Sequence, residues 1–282
     1  MASLVVGTIY FGLMFILAGF FFLLAMIFPK KTKEFLITAG GVLILFIFII
    51  PLQARLSLKI QEKREAPKKA ERKAKYEEAR TVFDEQCKKA GEKIYRTVDN
   101  VDGVMLLKVR ESAALHRNNP MFEDAVLAPL HDVGGMYIAT LLDNSNLKSS
   151  EFVKKRYEFI DVLKKDNNIS RYLEYKGYGG EINEEQDGVI IKNPSEPARY
   201  AVTYENNVDP ELRKHWVAGT TIKIIDRQTN ELLAEKTIFA FARTMGNYSH
   251  GAWVYSRMDF CPEDTELGRY PTSHFVVTVL KP

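Results

Sequence analysis

The clearest strand pattern in the carboxyl-terminal half of this 282-residue chain lies in residues 220–226 (TTIKIID) and 232–242 (LLAEKTIFAFA). Apolar and polar side chains largely alternate in both stretches, which is typical of strands with one buried face. The residues between them, 227–231 (RQTNE), are polar and have the length of a tight turn. The two stretches therefore predict an antiparallel β-hairpin, around which the rest of a sheet is assembled.

Further segments with strand character lie on both sides of this hairpin. The other predicted strands are residues 93–97 and 104–109, which could pair as a second hairpin, and residues 199–205 and 274–280. Residues 150–166 fit a helix and a strand equally well, because their period is ambiguous. Together these segments predict an α+β domain with an antiparallel sheet over residues 81–282.

Two apolar stretches without charge stand at the start of the chain, at residues 4–28 and 35–51. Each is close to the roughly 20 residues that a helix needs to cross a bilayer. A buried helical hairpin would need other protein around it, because its surface is apolar on every side. A cleaved signal peptide would carry a basic segment before residue 4. We therefore expect residues 1–52 to form a two-helix transmembrane hairpin in a lipid bilayer.

A lysine-rich segment follows at residues 53–80. It consists largely of Lys, Arg, Glu and Ala, which favour helix, and Pro67 is its single breaker. We expect a basic helical stalk that is kinked or interrupted near Pro67. Apolar residues then recur at spacings of three or four, which predicts packing of the helix on the next domain. These residues are Tyr76, Ala79, Phe83, Cys87 and Ala90.

The charge is distributed unevenly along the chain. Residues 1–80 carry 13 Lys and Arg against 6 Asp and Glu, whereas residues 81–282 carry 26 against 30. Nucleic-acid binding needs a basic face to neutralise phosphates, so a nucleic-acid partner is not expected for the mildly acidic domain. Three lysines lie between the two apolar stretches and six Lys or Arg follow the second one, in residues 53–69. The positive-inside rule, taken alone, places the large domain in the cytoplasm.

The chain has two cysteines, Cys87 and Cys261. A bridge between them would close a long loop and stabilise the fold by roughly 4 kcal/mol or more in the chain-entropy model. It would also place the domain outside the cytosol. The alternative is a pair of buried thiols that never meet. The residues alone leave both possibilities open.

Catalytic and metal-binding signatures are weak in this sequence. The five histidines and two cysteines lack the close spacing of a zinc site, and there is neither a GxSxG elbow nor a Walker loop. Several carboxylates lie between residues 161 and 187, but a pattern of residues gives no burial or pairing to support acid–base catalysis. These are Asp161, Asp166, Glu181, Glu184, Glu185 and Asp187. We expect no catalytic residue, no metal site and no cofactor, and hence a protein that is not an enzyme.

A tyrosine-rich tract at residues 172–181 (YLEYKGYGGE) is a candidate recognition surface. Tyrosine offers a large contact area with a polar tip, and the glycines indicate a flexible turn. The possible partner-binding residues are Tyr172, Tyr175, Tyr178, Gly179 and Gly180. Ordinary packing in the core is the alternative.

Residues 82–110 (VFDEQCKKAGEKIYRTVDNVDGVMLLKVR) resemble the opening block of a family of Gram-negative envelope proteins. The genes of that family tend to lie beside type VI secretion components and phospholipase-type toxins. The tract Phe260-Cys261-Pro262 and the hairpin around Asp226 are compatible with the family. The resemblance implies an immunity protein, a bridge between Cys87 and Cys261, and a domain outside the cytoplasm. A membrane hairpin departs from the lipid anchor of that family.

The resemblance predicts a non-catalytic, inner-membrane-anchored immunity protein with a periplasmic domain that binds a protein toxin of the phospholipase type. A structural or assembly protein of the envelope or of a secretion apparatus is the alternative from a different class. Deletion would impair secretion itself in the second case. In the first case it would harm the cell when the toxin is present.

Overall fold

The computed structural model describes residues 30–110, 119–130, 133–142, 156–175, 188–246, 252–262 and 271–282, together with residues 16, 20 and 23. The chain divides into two compact units, residues 1–73 and 74–282. Helix α1 spans Lys30–Cys87 and is not interrupted at Pro67. Strong helix formers on both sides of the proline offset the hydrogen bond that it removes. The interruption predicted near Pro67 is therefore wrong, whereas the alternative, a kink, stays a prediction.

The prediction of a two-helix transmembrane hairpin is wrong for the part of the chain that the structure describes. In that part, no helix combines the length and the apolar character needed to cross a membrane. From Arg55 onward, the described side chains of α1 are dominated by Lys, Arg and Glu, which the interior of a bilayer disfavours. Most of the stretch at residues 4–28 lies outside the described residues. The inner-membrane localisation rested on the hairpin and is corrected with it.

The second unit is built on a mixed sheet, to which the described residues contribute nine strands. These strands are β1 Gly91–Ile94, β3 Gly103–Leu106, β4 Phe159–Leu163, β5 Ile169–Tyr175, β6 Gly188–Lys192, β7 Tyr200–Asn207, β8 Val217–Asp226, β9 Glu231–Ala242 and β10 Met258–Cys261. A short parallel pair outside this sheet joins β2 Val98–Asp99 to β11 Leu280–Lys281. The shorter helices are α2 Gly134–Leu141, α3 Pro210–Lys214 and α4 Pro271–Val279, and 3₁₀ turns lie at Ala128–Leu130 and Tyr255–Arg257.

The strand order is β1-β9-β8-β7-β3-β4-β5-β6, and β10 also pairs with β9. Strand β3 is parallel to both of its neighbours, β4 and β7, whereas the other pairs in this sheet are antiparallel. A parallel neighbour requires a long crossover, and α2 lies on the connection from β3 to β4. The predicted α+β class is confirmed, but the wholly antiparallel sheet is corrected to a mixed one.

The hairpin predicted from residues 220–242 is confirmed. Strands β8 and β9 pair antiparallel from Val217 opposite Phe241 to Asp226 opposite Glu231. The turn between them ends at Asn230, whose φ of 58° is in the left-handed region that asparagine tolerates. Alternation along the chain was therefore sufficient to predict the longest strand pair of the sheet.

Two local predictions at the ends of the domain are wrong. Strand β1 pairs with β9 rather than with β3. Residues 274–280 lie mostly in α4, which begins at Pro271, a residue favoured at the first position of a helix. Phe275, Val276 and Val279 share the buried face of this helix. Their spacing fits a helix face, but the strand was predicted from the alternation of apolar and polar residues in 274–280 (HFVVTVL).

The main core joins α2 and α4 to the sheet, and a second cluster lies at the end of α1. In the second cluster, Phe83 and Tyr76 contact the ring of Phe241 at centroid distances of 5.8 and 5.5 Å. Ala79 is fully buried beside them. The stripe predicted for this stretch of α1 therefore does pack on the domain.

Asp226, at the end of β8, gives the fold a dependence on pH. Its buried carboxylate accepts hydrogen bonds from Arg199 Nη2 at 2.7 Å and from the Gln228 backbone N–H at 3.0 Å. The hydrogen bond from Arg199 lowers the pKa of Asp226 below its usual value. A lowered folded-state pKa stabilises the protein above the unfolded pKa of about 3.9, and this stabilisation is lost as the pH falls through the folded-state value.

We predict that the free energy of unfolding decreases on acidification below about pH 4 and that Asp226→Asn reduces this decrease. Urea unfolding at a series of pH values measures it. Glu211→Gln changes an exposed carboxylate and is the matched control. A decrease of the same size in Asp226→Asn and in the native chain would contradict the assignment.

Candidate functional site

Two of the predicted partner-binding tyrosines lie inside the protein. Tyr172 and Tyr175 lie in β5, are each 1% exposed, and contact each other edge to face. A Cβ added to Gly135 in α2 would come within 1.5 Å of Tyr175 Oη, so the close approach requires glycine. These two tyrosines pack in the core and form no partner-binding surface. Tyr178, Gly179 and Gly180 lie outside the described residues.

The predicted disulfide is present. Cys87 at the end of α1 is bonded to Cys261 in β10, with a Cα–Cα distance of 5.5 Å. Arg80 Nη1, two turns earlier in α1, donates to Asp259 Oδ2 in β10 at 2.7 Å. The end of α1 is therefore attached to β10 by one covalent bond and one ion pair.

Two of the six carboxylates that were considered for acid–base catalysis lie in the described residues, and both accept hydrogen bonds from neighbouring residues of the fold. Asp161 is buried and accepts two hydrogen bonds from Arg171, and Asp166 accepts from the backbone and side chain of Asn168 in a turn. The other four, Glu181, Glu184, Glu185 and Asp187, lie outside the described residues. Within the described ranges, no three His, Cys, Asp or Glu side chains are grouped as metal ligands.

An open pocket of about 370 Å³ lies where β9 ends and β10 begins. Its lining residues are Arg243, Thr244, Ser256 and Arg257. The first two follow β9, and the last two belong to the 3₁₀ turn before β10. Antiparallel pairing of Met258 with Ala242 brings the two pairs together, and the Arg243 N–H donates to the Arg257 carbonyl at 3.0 Å. We call this site the arginine pocket.

Arg243 is held at two points in the arginine pocket. Its Nη2 donates to the Ser256 carbonyl at 2.8 Å, and its Nε lies 3.5 Å from Asp259 Oδ1. The side chain is 46% exposed. A guanidinium carries five N–H donors, so these two contacts leave donors for a ligand. Asp259 is shared with Arg80, so its charge is divided between two guanidinium groups.

Thr244 adds an unused polar atom to the arginine pocket. Its Oγ1 is buried and has no hydrogen-bond partner among the described residues. An unsatisfied buried hydroxyl costs free energy, and most such groups in folded proteins are paired. A polar ligand atom that reached Thr244 Oγ1 would remove this cost. The arginine pocket thus combines positive charge with a hydroxyl that has no partner in the part of the chain that the structure describes.

A tight turn fixes one wall of the pocket. The Met245 N–H donates to the Ala242 carbonyl at 2.9 Å, and Gly246 has a φ of 78°. A Cβ added to Gly246 would lie 2.3 Å from Trp216 Cζ2, so only glycine fits there. Trp216 in turn contacts Trp253 at a centroid distance of 5.6 Å. Packed aromatic rings therefore support the turn that carries Arg243 and Thr244.

A second arginine, Arg213, is internal. It is 1% exposed, lies 5.2 Å from the ring of Trp253, and donates at 3.5 Å to the carbonyls of Pro120 and Asn207. Burial lowers the pKa of Arg213 to about 10. Because its guanidinium is closed to solvent, it joins three segments of the fold rather than meeting a partner.

Sequence reasoning missed the arginine pocket. Its two arginines are 14 positions apart, and they meet because β10 returns along β9. Comparison of the chain with protein-family models, curated proteins and solved structures gave no match. The resemblance carried by residues 82–110 stays a prediction.

Proposed function

We propose that this chain is a non-catalytic immunity protein that binds a type VI secretion toxin of the phospholipase type, with an acidic group of the toxin docked in the arginine pocket. The observation that carries the proposal is the lining of that pocket by two arginines, a threonine and a serine. Guanidinium matches the planar geometry of a carboxylate and can bind it through two parallel hydrogen bonds.

The shape of the pocket favours a protein partner over an enclosed small substrate. Small-molecule sites bury most of their ligand, whereas this pocket is open at the protein surface. A carboxylate on a partner's side chain needs no enclosure, because the rest of the interface excludes water from around it. The partner class itself, a phospholipase-type toxin, comes from the resemblance of residues 82–110.

The frame of the pocket also suits binding. Cys261 and Asp259 lie in β10, next to Arg257, and both are attached to α1. A site that is already ordered loses less conformational entropy when a partner binds. The disulfide and the Arg80–Asp259 pair thereby favour a preformed site.

Mixing the full chain with the phospholipase-type toxin that the resemblance predicts to be encoded beside its gene tests the proposal directly. We expect a complex that survives co-purification and protection of cells that produce both proteins. Absence of both the complex and the protection would remove the immunity function, whatever the role of the pocket.

We predict that Arg243→Ala weakens toxin binding about tenfold, which corresponds to the loss of about 1.4 kcal/mol of a charge-assisted contact. Isothermal titration calorimetry measures the change in Kd. The matched control is Arg96→Ala, because Arg96 is 45% exposed and also ion-paired, with Glu231 at 3.0 Å. An unchanged Kd for Arg243→Ala, or an equal loss for Arg96→Ala, would show that the toxin docks elsewhere.

A further inference from the structure

We infer that two copies of this chain pair through the outer edges of their β6 strands, in an antiparallel register centred on Ile190. Strand β6 is the last strand in the sheet order. Within the described residues, β5 is the sole strand that pairs with it. One edge of β6 therefore presents backbone N–H and C=O groups to which no described strand is paired. This inference does not depend on the proposed function.

An apolar patch lies beside this edge. Val189, Ile191 and Leu173 are 50%, 45% and 42% exposed. Ile191 lies opposite Arg171 in the ladder, and alternation along β6 puts Val189 on the same face as Ile191. Leu173 lies in β5 at the register shift between Tyr172 and Glu174, which are the residues opposite Ile190 and Val189. Proteins normally protect long edge strands with charged residues, proline or bulges. Three clustered apolar side chains at an edge are therefore typical of an interaction surface.

Backbone geometry shows which residues of β6 can bond to a new strand. The N–H of Asn193, just after β6, donates to the Ile169 carbonyl of β5 at 2.7 Å. Hydrogen-bonding groups alternate sides along an antiparallel strand, so Ile191 and Val189 also face β5. The groups of Gly188, Ile190 and Lys192 consequently face the outer edge.

These outward-facing residues are self-complementary. With a twofold axis at Ile190, each Ile190 faces the Ile190 of the second copy, and each Gly188 faces the Lys192 of the second copy. Every outward N–H and C=O in the strand then meets a partner group. Val189 faces Ile191 of the second copy in the closer, non-hydrogen-bonded positions, which forms two apolar cross-strand pairs.

Other registers fit less well. If the second copy is shifted by one residue, the outward N–H and C=O groups of one β6 lie opposite residues of the other β6 whose N–H and C=O groups already bond to β5. A shift of two residues in either direction leaves one apolar pair on the exposed face instead of two. In the centred register the two Lys192 ammonium groups do not face each other, and each is opposite a glycine. Gly188 is fixed, because a Cβ there would lie 2.0 Å from the Glu174 carbonyl oxygen.

Cysteine cross-linking of the full chain tests the register. Both native cysteines are in the disulfide, so Val189→Cys and Ile191→Cys each introduce a single free thiol. In the proposed register the thiol at position 189 of one copy would face the thiol at position 191 of the other, and facing positions in a sheet are close enough for a disulfide. Two copies of the same position are displaced along the strand, with Cα atoms about 7–8 Å apart, which is too far for a disulfide. We expect an equal mixture of the two variants to give about tenfold more cross-linked dimer on a non-reducing gel than either variant alone. Absence of a cross-link in the mixture, or equal amounts in the single variants, would overturn the register.

Light scattering tests the dimer itself. We expect the native chain to dimerise with concentration and Ile191→Lys to raise the dimer Kd at least tenfold, because a lysine would face Val189 of the second copy. The matched control is Ile94→Lys, since Ile94 is 41% exposed on β1 at the other end of the sheet order. Circular dichroism confirms that each variant is folded. A native chain that stays monomeric would overturn the proposal. If Ile191→Lys then weakened toxin binding, the apolar patch would be a surface for the toxin and not for a second copy.

Discussion

Replacement of both cysteines, Cys87→Ser with Cys261→Ser, is expected to lower the free energy of unfolding by about 5 kcal/mol. The disulfide joins residues that are 174 positions apart, from the end of α1 to β10. In the chain-entropy model, a cross-link over so long a loop removes a large part of the freedom of the unfolded chain. Single domains are typically stable by only about 5–15 kcal/mol, so this is a large fraction of the total.

Other contacts at this junction do not compensate for the bond. The Arg80–Asp259 ion pair is partly exposed, with side chains 37% and 26% accessible, and such pairs typically contribute less than about 1 kcal/mol. The aromatic contacts of Phe83 and Tyr76 with Phe241 are local to the folded state and do not restrict the unfolded chain.

Urea unfolding of the native chain, with and without a dithiol reductant, and of the double serine variant measures this effect. The reduced native chain and the double variant should show similar stability, and the reductant should not change the double variant. A loss below about 1 kcal/mol would mean that the unfolded chain is already compact around this loop.

The disulfide also connects stability to the candidate site. Cys261 is two residues from Asp259, and Asp259 forms an ion pair with Arg243 of the arginine pocket. The preceding residue, Met258, pairs with Ala242, which brings the two sides of the pocket together. Loosening β10 should therefore disorder one wall of the pocket before the sheet unfolds. This order of events follows from the position of β10, whose pairing among the described strands is limited to the last four residues of β9.

Local sequence patterns predicted the parts of the fold that depend on near neighbours. Alternation over residues 220–242 was sufficient for the β8–β9 hairpin, since the turn fixes the register. The spacing of Tyr76, Ala79 and Phe83 was sufficient for the buried face of α1, because a helix brings residues three and four apart together.

Features that depend on distant segments could not be read in this way. The parallel pairing of β3 with β4 and β7 depends on crossovers that no local pattern encodes. Residues 276–279 (VVTV) are all β-branched, which favours a strand, but contacts of this segment with the rest of the core outweighed that preference in favour of helix. The arginine pocket depends on the return of β10, and Tyr175 is buried because Gly135 leaves room for it.

Asp161→Asn is expected to lower the free energy of unfolding by about 3–5 kcal/mol, the usual cost of breaking a buried ion pair. Asp161 lies in β4, and its carboxylate is fully buried. It accepts from Arg171 Nε at 2.8 Å, from Arg171 Nη2 at 2.9 Å, and from the Ala198 N–H at 2.7 Å. An asparagine has one oxygen where the carboxylate has two, so its amide nitrogen must face one of these donors.

Arg171 would have little compensation after this change. Its side chain is 16% exposed, and it stacks on the ring of Phe159 at 3.7 Å. One hydrogen bond to the Glu196 carbonyl, at 2.7 Å, would remain. The loss in Asp161→Asn is therefore the cost of a buried cation without its counter-charge, rather than the net contribution of the pair.

A double-mutant cycle separates these two quantities. Asp161→Leu with Arg171→Met removes both charges together, and its main cost is the unsatisfied Ala198 N–H, about 1–3 kcal/mol. We expect this double variant to be more stable than Asp161→Asn in urea unfolding, because apolar side chains of similar volume replace a buried ion pair at little cost. The free energy of unfolding lost by the double variant is compared with the sum of the losses in Asp161→Leu and Arg171→Met. If the two were equal, Asp161 and Arg171 would act independently, and their bidentate contact would not be what stabilises β4 against β5.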